Sequence, residues 1–110
     1  MHIPTVAVDQ IPAELPEGVT LLDVREQVEW AHGRAPGAVH VPMHEVPGRL
    51  GELPADGRVL VICKVGGRSA QVAGYLVQNG FDALNVDGGM LEWQAAGRPM
   101  VADSGDPIVF

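Results

Sequence analysis

Val59-Leu60-Val61-Ile62-Cys63-Lys64-Val65-Gly66-Gly67-Arg68-Ser69 passes from an unbroken apolar run into a glycine pair, and that change of character decides the fold. Asp56-Gly57 punctuates the chain just before it. Four successive apolar residues, three of them β-branched, suit a short strand covered on both faces. Beyond the glycines, Ala70, Ala73, Leu76 and Val77 recur at helical spacing from Ser69 to Asn79, and Gly80 supplies a stop. A buried strand, a tight loop and a helix thus follow one another directly.

The same alternation extends outward. Val19 to Val24 reads as a second buried strand, interrupted only by Asp23 near its end, and Ala83 to Val86 as a third. Gly89 to Ala96 reads as a helix ended by Gly97 and Pro99. Shorter helices are expected at Gln10 to Leu15, Gln27 to His32 and Glu45 to Leu50. There is no internal repeat, low-complexity tract or linker, so residues 1–110 read as one domain. Alternating strands and helices predict an α/β fold with a mainly parallel sheet and helices on both faces. Sites in such sheets form where strands end and helices begin, and Cys63 lies at such a place.

Bulk properties narrow the function. A chain of 110 residues supports one core. No stretch approaches the roughly 20 apolar residues that span a bilayer. A net charge of -7 disfavours nucleic acid and anionic membrane as partners. Met1 to Val8 lacks the basic and apolar regions of an export signal, and a lone cysteine stays reduced most readily in the cytoplasm, which is the expected location. The four histidines, His2, His32, His40 and His44, lack metal-ligand spacing, so no metal is expected.

The chemistry concentrates in Cys63 to Ser69. Gly66 and Gly67 let the backbone curl, and inward-pointing amides backed by a helix start make an anion cradle. Such a setting lowers a cysteine pKa from about 8.5 to between about 3.5 and 7.5, so Cys63 is expected to be an acidic, exposed nucleophile. An inert buried cysteine would need neither the glycines nor the nearby Arg68. Lys64 and Arg68 add a positive spot on an acidic body. The Ser69 hydroxyl either serves the loop or caps the helix, and capping is the preferred reading.

CKVGGRS, Cys63 to Ser69, resembles the active-site loop of the rhodanese family. Leu21 to Glu26 (LLDVRE) with Glu29 to Pro42 (EWAHGRAPGAVHVP) is similar to the family's amino-terminal signature. Asn85 to Met100 (NVDGGMLEWQAAGRPM) is similar to its carboxyl-terminal one. The resemblance covers about residues 4 to 100 and implies a single rhodanese-like domain with a five-stranded sheet. It implies a persulfide cycle without cofactor: Cys63 takes sulfane sulfur from a donor such as thiosulfate and passes it to cyanide, a thiol or a protein acceptor. Lys64, Val65, Gly66, Gly67, Arg68 and Ser69 would bind the sulfur and the anionic donor. Asp23 and Arg25 are given a structural role near the site, since a carboxylate at the end of a buried strand needs Arg25 or a backbone amide as partner.

The sequence departs from the family in having Gly33-Arg34-Ala35 where Gly-His-Ile is usual. Residues 101–110 lie beyond the resemblance and are expected to be loosely held. Cysteine phosphatases and arsenate reductases share the cradle, but the phosphatases resemble one another in placing five residues between Cys and Arg. Four intervene here. Docking modules of the family are the other competing class, and they usually lack the cysteine. Trp93 reads as a core anchor.

Overall fold

Strand β4 (Arg58–Ile62) is the middle of five, in the order β1-β5-β4-β2-β3, in a computed structural model that describes residues 3–110. The others are β1 (Thr5–Ala7), β2 (Val19–Asp23), β3 (Val39–His40) and β5 (Asp82–Asp87), and every neighbouring pair is parallel. The register sets Asp23 beside Ile62, so the end of β2 lies next to the residue before Cys63.

Alternation along β4 divides the core in two. Val59, Val61 and Cys63 join Leu22, Val24, Val72, Ala73 and Leu76 on one face, while Leu60 and Ile62 join Leu21, Val86, Met90 and Trp93 on the other. The first face is covered by α2 (Gly67–Gln78), whose buried residues Ser69, Val72, Ala73 and Leu76 follow the three- and four-residue spacing of one helical stripe. The second is covered by α3 (Gly89–Ala95). Truncating a buried leucine such as Leu76 to alanine costs about 2–5 kcal/mol. The α/β architecture, with its parallel sheet and helices on both faces, is the expected one. Helix α1 (Gln27–His32) also falls where the sequence places it.

Two short helices differ from expectation. In place of a helix over Gln10 to Leu15, a single 3-10 turn spans Val8–Gln10, and Ile11 is extended (ψ 124°). Pro12 explains this, because the residue before a proline is pushed out of the helical region. In place of an α-helix over Glu45 to Leu50, 3-10 turns run from Met43 to Glu52 with a break at Arg49 (φ -126°). Pro47 lies inside that segment and has no N–H to continue an α-helical ladder.

The end of the chain is docked, contrary to the expected loose tail. Arg34 and Val101 exchange backbone hydrogen bonds at 2.9 Å each. Asp103 N–H donates to Ala31 O and Ile108 N–H to His32 O, both at 2.9 Å, and Val109 packs against the second face of the core. Arg34 adds an ion pair to Asp103 at 2.8 Å. The tail fits because Gly33 has no side chain: a Cβ there would overlap the backbone of Ile108.

A chain truncated after Met100 loses the bonds to Ala31, His32 and Arg34, each contributing about 1 kcal/mol. Its thermal midpoint should fall by on the order of 10 °C. An unchanged midpoint in a thermal melt would contradict the docked tail.

Candidate active site

Cys63 is the first residue past β4, and helix α3 fixes its carbonyl. Met90 N–H donates to Cys63 O at 2.8 Å and Leu91 N–H to Lys64 O at 3.0 Å. These amides belong to the first turn of α3, which has no internal partners for them. Gly89 permits the approach: its φ is +56° and a Cβ there would overlap the carbonyls of Cys63 and Lys64. The loop that follows is therefore held at its base from below.

Gly66, at φ +114°, turns the chain back over the sulfur in a conformation that favours glycine. Its N–H donates to Cys63 Sγ at 3.1 Å. Ser69 N–H, in the first turn of α2, donates to the same sulfur at 3.4 Å, and Ser69 Oγ lies 3.2 Å from it. The cradle expected from the glycines is present. The exposure expected of Cys63 is not, because the curled loop covers the side chain and leaves it 1% accessible. Burial pushes the thiol pKa up. The Ser69 hydroxyl and the amides of Ser69, Gly66 and Val65 more than offset it, leaving the thiol below its ordinary value.

Ser69 does not cap α2, since the capping position is Gly66 and the helix begins at Gly67. Ser69 is fully buried, and its hydroxyl donates to Asn85 Oδ1 at 2.5 Å. A hydroxyl has one proton, and two acceptors are in reach. Turned to the sulfur it stabilises thiolate; turned to Asn85 it leaves Oγ free to accept a thiol proton. Asn85 was not singled out by the sequence reading, although a polar residue within the apolar run of β5 was a signal.

Arg68 is committed to a partner the sequence did not reveal. Its Nη1 and Nη2 donate to Glu29 Oε1 and Oε2 at 2.7 and 2.9 Å, a bidentate pair. The Arg68 guanidinium holds the Glu29 carboxyl below the usual carboxylate range despite burial, and Glu29 in turn raises Arg68. The pair spans 39 positions of sequence, so only the fold brings it together. Lys64 and Gly67 lie on the rim, and Val65 at the loop tip is 58% exposed.

Asp23 and Arg25 are both fully buried and paired as expected. Arg25 Nε and Nη2 donate to the Asp23 carboxylate at 2.9 and 2.7 Å, and Arg25 N–H donates to Oδ1 at 3.1 Å. Nη2 also donates to Gly33 O at 2.7 Å, past the end of α1. Three histidines have local partners. His40 stacks on Trp30 and donates from Nε2 to Arg25 O at 2.8 Å. His32 Nδ1 meets Val28 O at 2.9 Å, and His44 faces Glu45. His2 lies outside the described residues. Trp93 is buried and donates to Pro99 O.

A parallel α/β domain with a cysteine held by amides between a strand and a helix defines the class. Residues 8–96 match the rhodanese-like domain model, and the chain belongs to that family. It is 42% identical over 90 residues to a sulfurtransferase of Allochromatium vinosum, covering 81% of this chain and 84% of that protein. It is 38% identical to the thiosulfate sulfurtransferase GlpE of Pseudomonas putida, covering 72% and 73% of the two chains. A crystal structure of a rhodanese-like domain protein from Staphylococcus aureus superposes with a TM-score of 0.77 at 36% identity, over 83% of this chain and 91% of that one.

The lowered Cys63 thiol predicts that its alkylation rate, though slowed by burial, rises with pH at an inflection below that of an ordinary free cysteine. Ser69→Ala should move the inflection up, because the hydroxyl is one of the groups that favour thiolate. A wild-type inflection at or above the ordinary value, in a rate-against-pH series with iodoacetamide, would sink this account of the cradle.

Proposed function

We propose that the chain is a sulfurtransferase that carries sulfane sulfur as a persulfide on Cys63. The observation that supports this most is the ring of donors around Sγ, from Gly66 N–H, Ser69 N–H and the Ser69 hydroxyl. Those donors favour the thiolate, and donation of the same kind would stabilise the negative charge of a persulfide. With thiosulfate as donor, the Cys63 thiolate attacks the outer sulfur, the S–S bond breaks, and sulfite leaves with the electron pair. An acceptor such as cyanide or a thiol then attacks the outer sulfur of Cys63–S–S⁻ and restores the thiolate. The likeness to sulfurtransferases, one of them named for thiosulfate, supports this chemistry.

Cys63 is the only cysteine, so an internal disulfide cannot discharge the persulfide and an external acceptor is required. That acceptor is a small thiophile or a protein, and the cytoplasm is the compartment that keeps a lone thiol reduced. A phosphatase reading is disfavoured by the loop. A phosphoryl group needs room for three equatorial oxygens and a free Arg reaching around them, whereas only four residues separate Arg68 from Cys63 and Arg68 is engaged by Glu29.

Steady-state transfer from thiosulfate to cyanide should follow ping-pong kinetics in the wild type. Cys63→Ser should lower the rate to background, and aryl phosphates should be hydrolysed negligibly. Comparable turnover of an aryl phosphate through Cys63, or thiocyanate formation by Cys63→Ser at the wild-type rate, would overturn the proposal.

A further inference from the structure

The guanidinium of the cysteine loop is paired within the protein itself. Nη1 and Nη2 of Arg68 each donate one N–H to one of the two oxygens of Glu29. Glu29 is not free to swing aside. It is 8% exposed, its Oε1 also accepts the Glu26 N–H at 3.0 Å, and its helix is tied to the buried Arg25 through Gly33 O at 2.7 Å. Around the loop, Lys64 and Arg68 supply two positive charges, and Glu29 with Glu26 at the start of α1 supplies two negative ones. The sum is zero, on a chain whose net charge is -7. A dianion such as thiosulfate gains no net attraction from such a mouth, and its sulfonate-like end finds the end-on face of the Arg68 guanidinium taken by Glu29. The loop tip offers instead an exposed aliphatic side chain, Val65.

From this, and resting on the sulfurtransferase reading, we infer that Glu29 is a specificity-determining residue that selects low-molecular-weight organic hydropersulfides over thiosulfate as sulfur donors. With R–S–SH the Cys63 thiolate attacks the terminal sulfur, the S–S bond breaks, and RS⁻ leaves with the electron pair and takes a proton from solvent. The terminal sulfur and its proton remain on Cys63. No dianion has to be held at any stage, so the Glu29–Arg68 pair stays intact. Its role is to keep the positive end of Arg68 from being offered to anions.

The test is the donor half-reaction alone, followed by intact mass as one sulfur is added to Cys63 with no acceptor present. The two donors are thiosulfate and the hydropersulfide of 2-mercaptoethanol generated in situ. Wild type should load faster from the hydropersulfide. Glu29→Gln keeps the shape and the bond from Glu26 N–H but removes the charge, and should raise loading from thiosulfate about tenfold at low ionic strength while changing hydropersulfide loading by less than about twofold. Equal changes for both donors, or a loss confined to thiosulfate, would overturn the role given to Glu29. A second measurement needs no variant: thiosulfate loading of wild type should be flat or rise with salt, because the mouth is neutral and the body acidic. A steep fall with salt would show that Arg68 does attract the dianion. If neither donor adds sulfur to Cys63, the sulfurtransferase reading itself fails, an outcome separate from loss of selectivity.

Discussion

A guanidinium that solvent does not reach holds the site together. Arg25 and its partner Asp23 are both fully buried at the carboxyl end of β2, and bringing two charges into that position is costly unless every donor and acceptor is matched. They are matched: the carboxylate takes Nε, Nη2 and the Arg25 N–H, and the fork reaches on to Gly33 O beyond α1. Removing one member of such a pair typically costs 3–5 kcal/mol, about a third to a half of a domain's whole stability. The consequence for function is positional. Arg25 anchors α1, α1 presents Glu29, and Glu29 fixes Arg68 at the lip of the cysteine loop. The docked tail adds to the same anchor, since its bonds land on Ala31, His32 and Arg34.

At the sulfur, two opposing effects meet. Burial alone would keep Cys63 a neutral thiol and an inert core residue. The loop amides, the start of α2 and the Ser69 hydroxyl reverse that balance, and they can do so only because Gly66 turns the chain with a left-handed φ. The positive Arg68 of the same loop is paired with a carboxylate of the same chain, Glu29.

What could be read from the sequence was what is contiguous in it. The strand, glycine loop and helix from Val59 to Asn79 are visible because hydrophobic period and glycine placement lie in one stretch, and the buried Asp23 asks for its neighbour Arg25. Ser69 was misassigned because a serine before an apolar helical stripe looks like a cap, whereas the two glycines already begin the helix one turn earlier. Asn85 and Glu29 are reached across 16 and 39 positions, and no local pattern encodes those distances. The two short helices expected between strands failed at Pro12 and Pro47, where proline's backbone restrictions prevent an α-helix. Strands β1 and β3, of three and two residues, are too short to show a period.

In the proposed cycle the sulfur in transit resides on Cys63 and waits there for an external acceptor. Its most direct measurement is the intact mass of the protein after incubation with a sulfane sulfur donor and removal of that donor, followed over time and then after addition of a thiol. One added sulfur, mapped to Cys63, is expected to persist without acceptor and to be lost when the thiol is added. No added sulfur, sulfur on another residue, or spontaneous loss at the rate of turnover would contradict the proposed cycle.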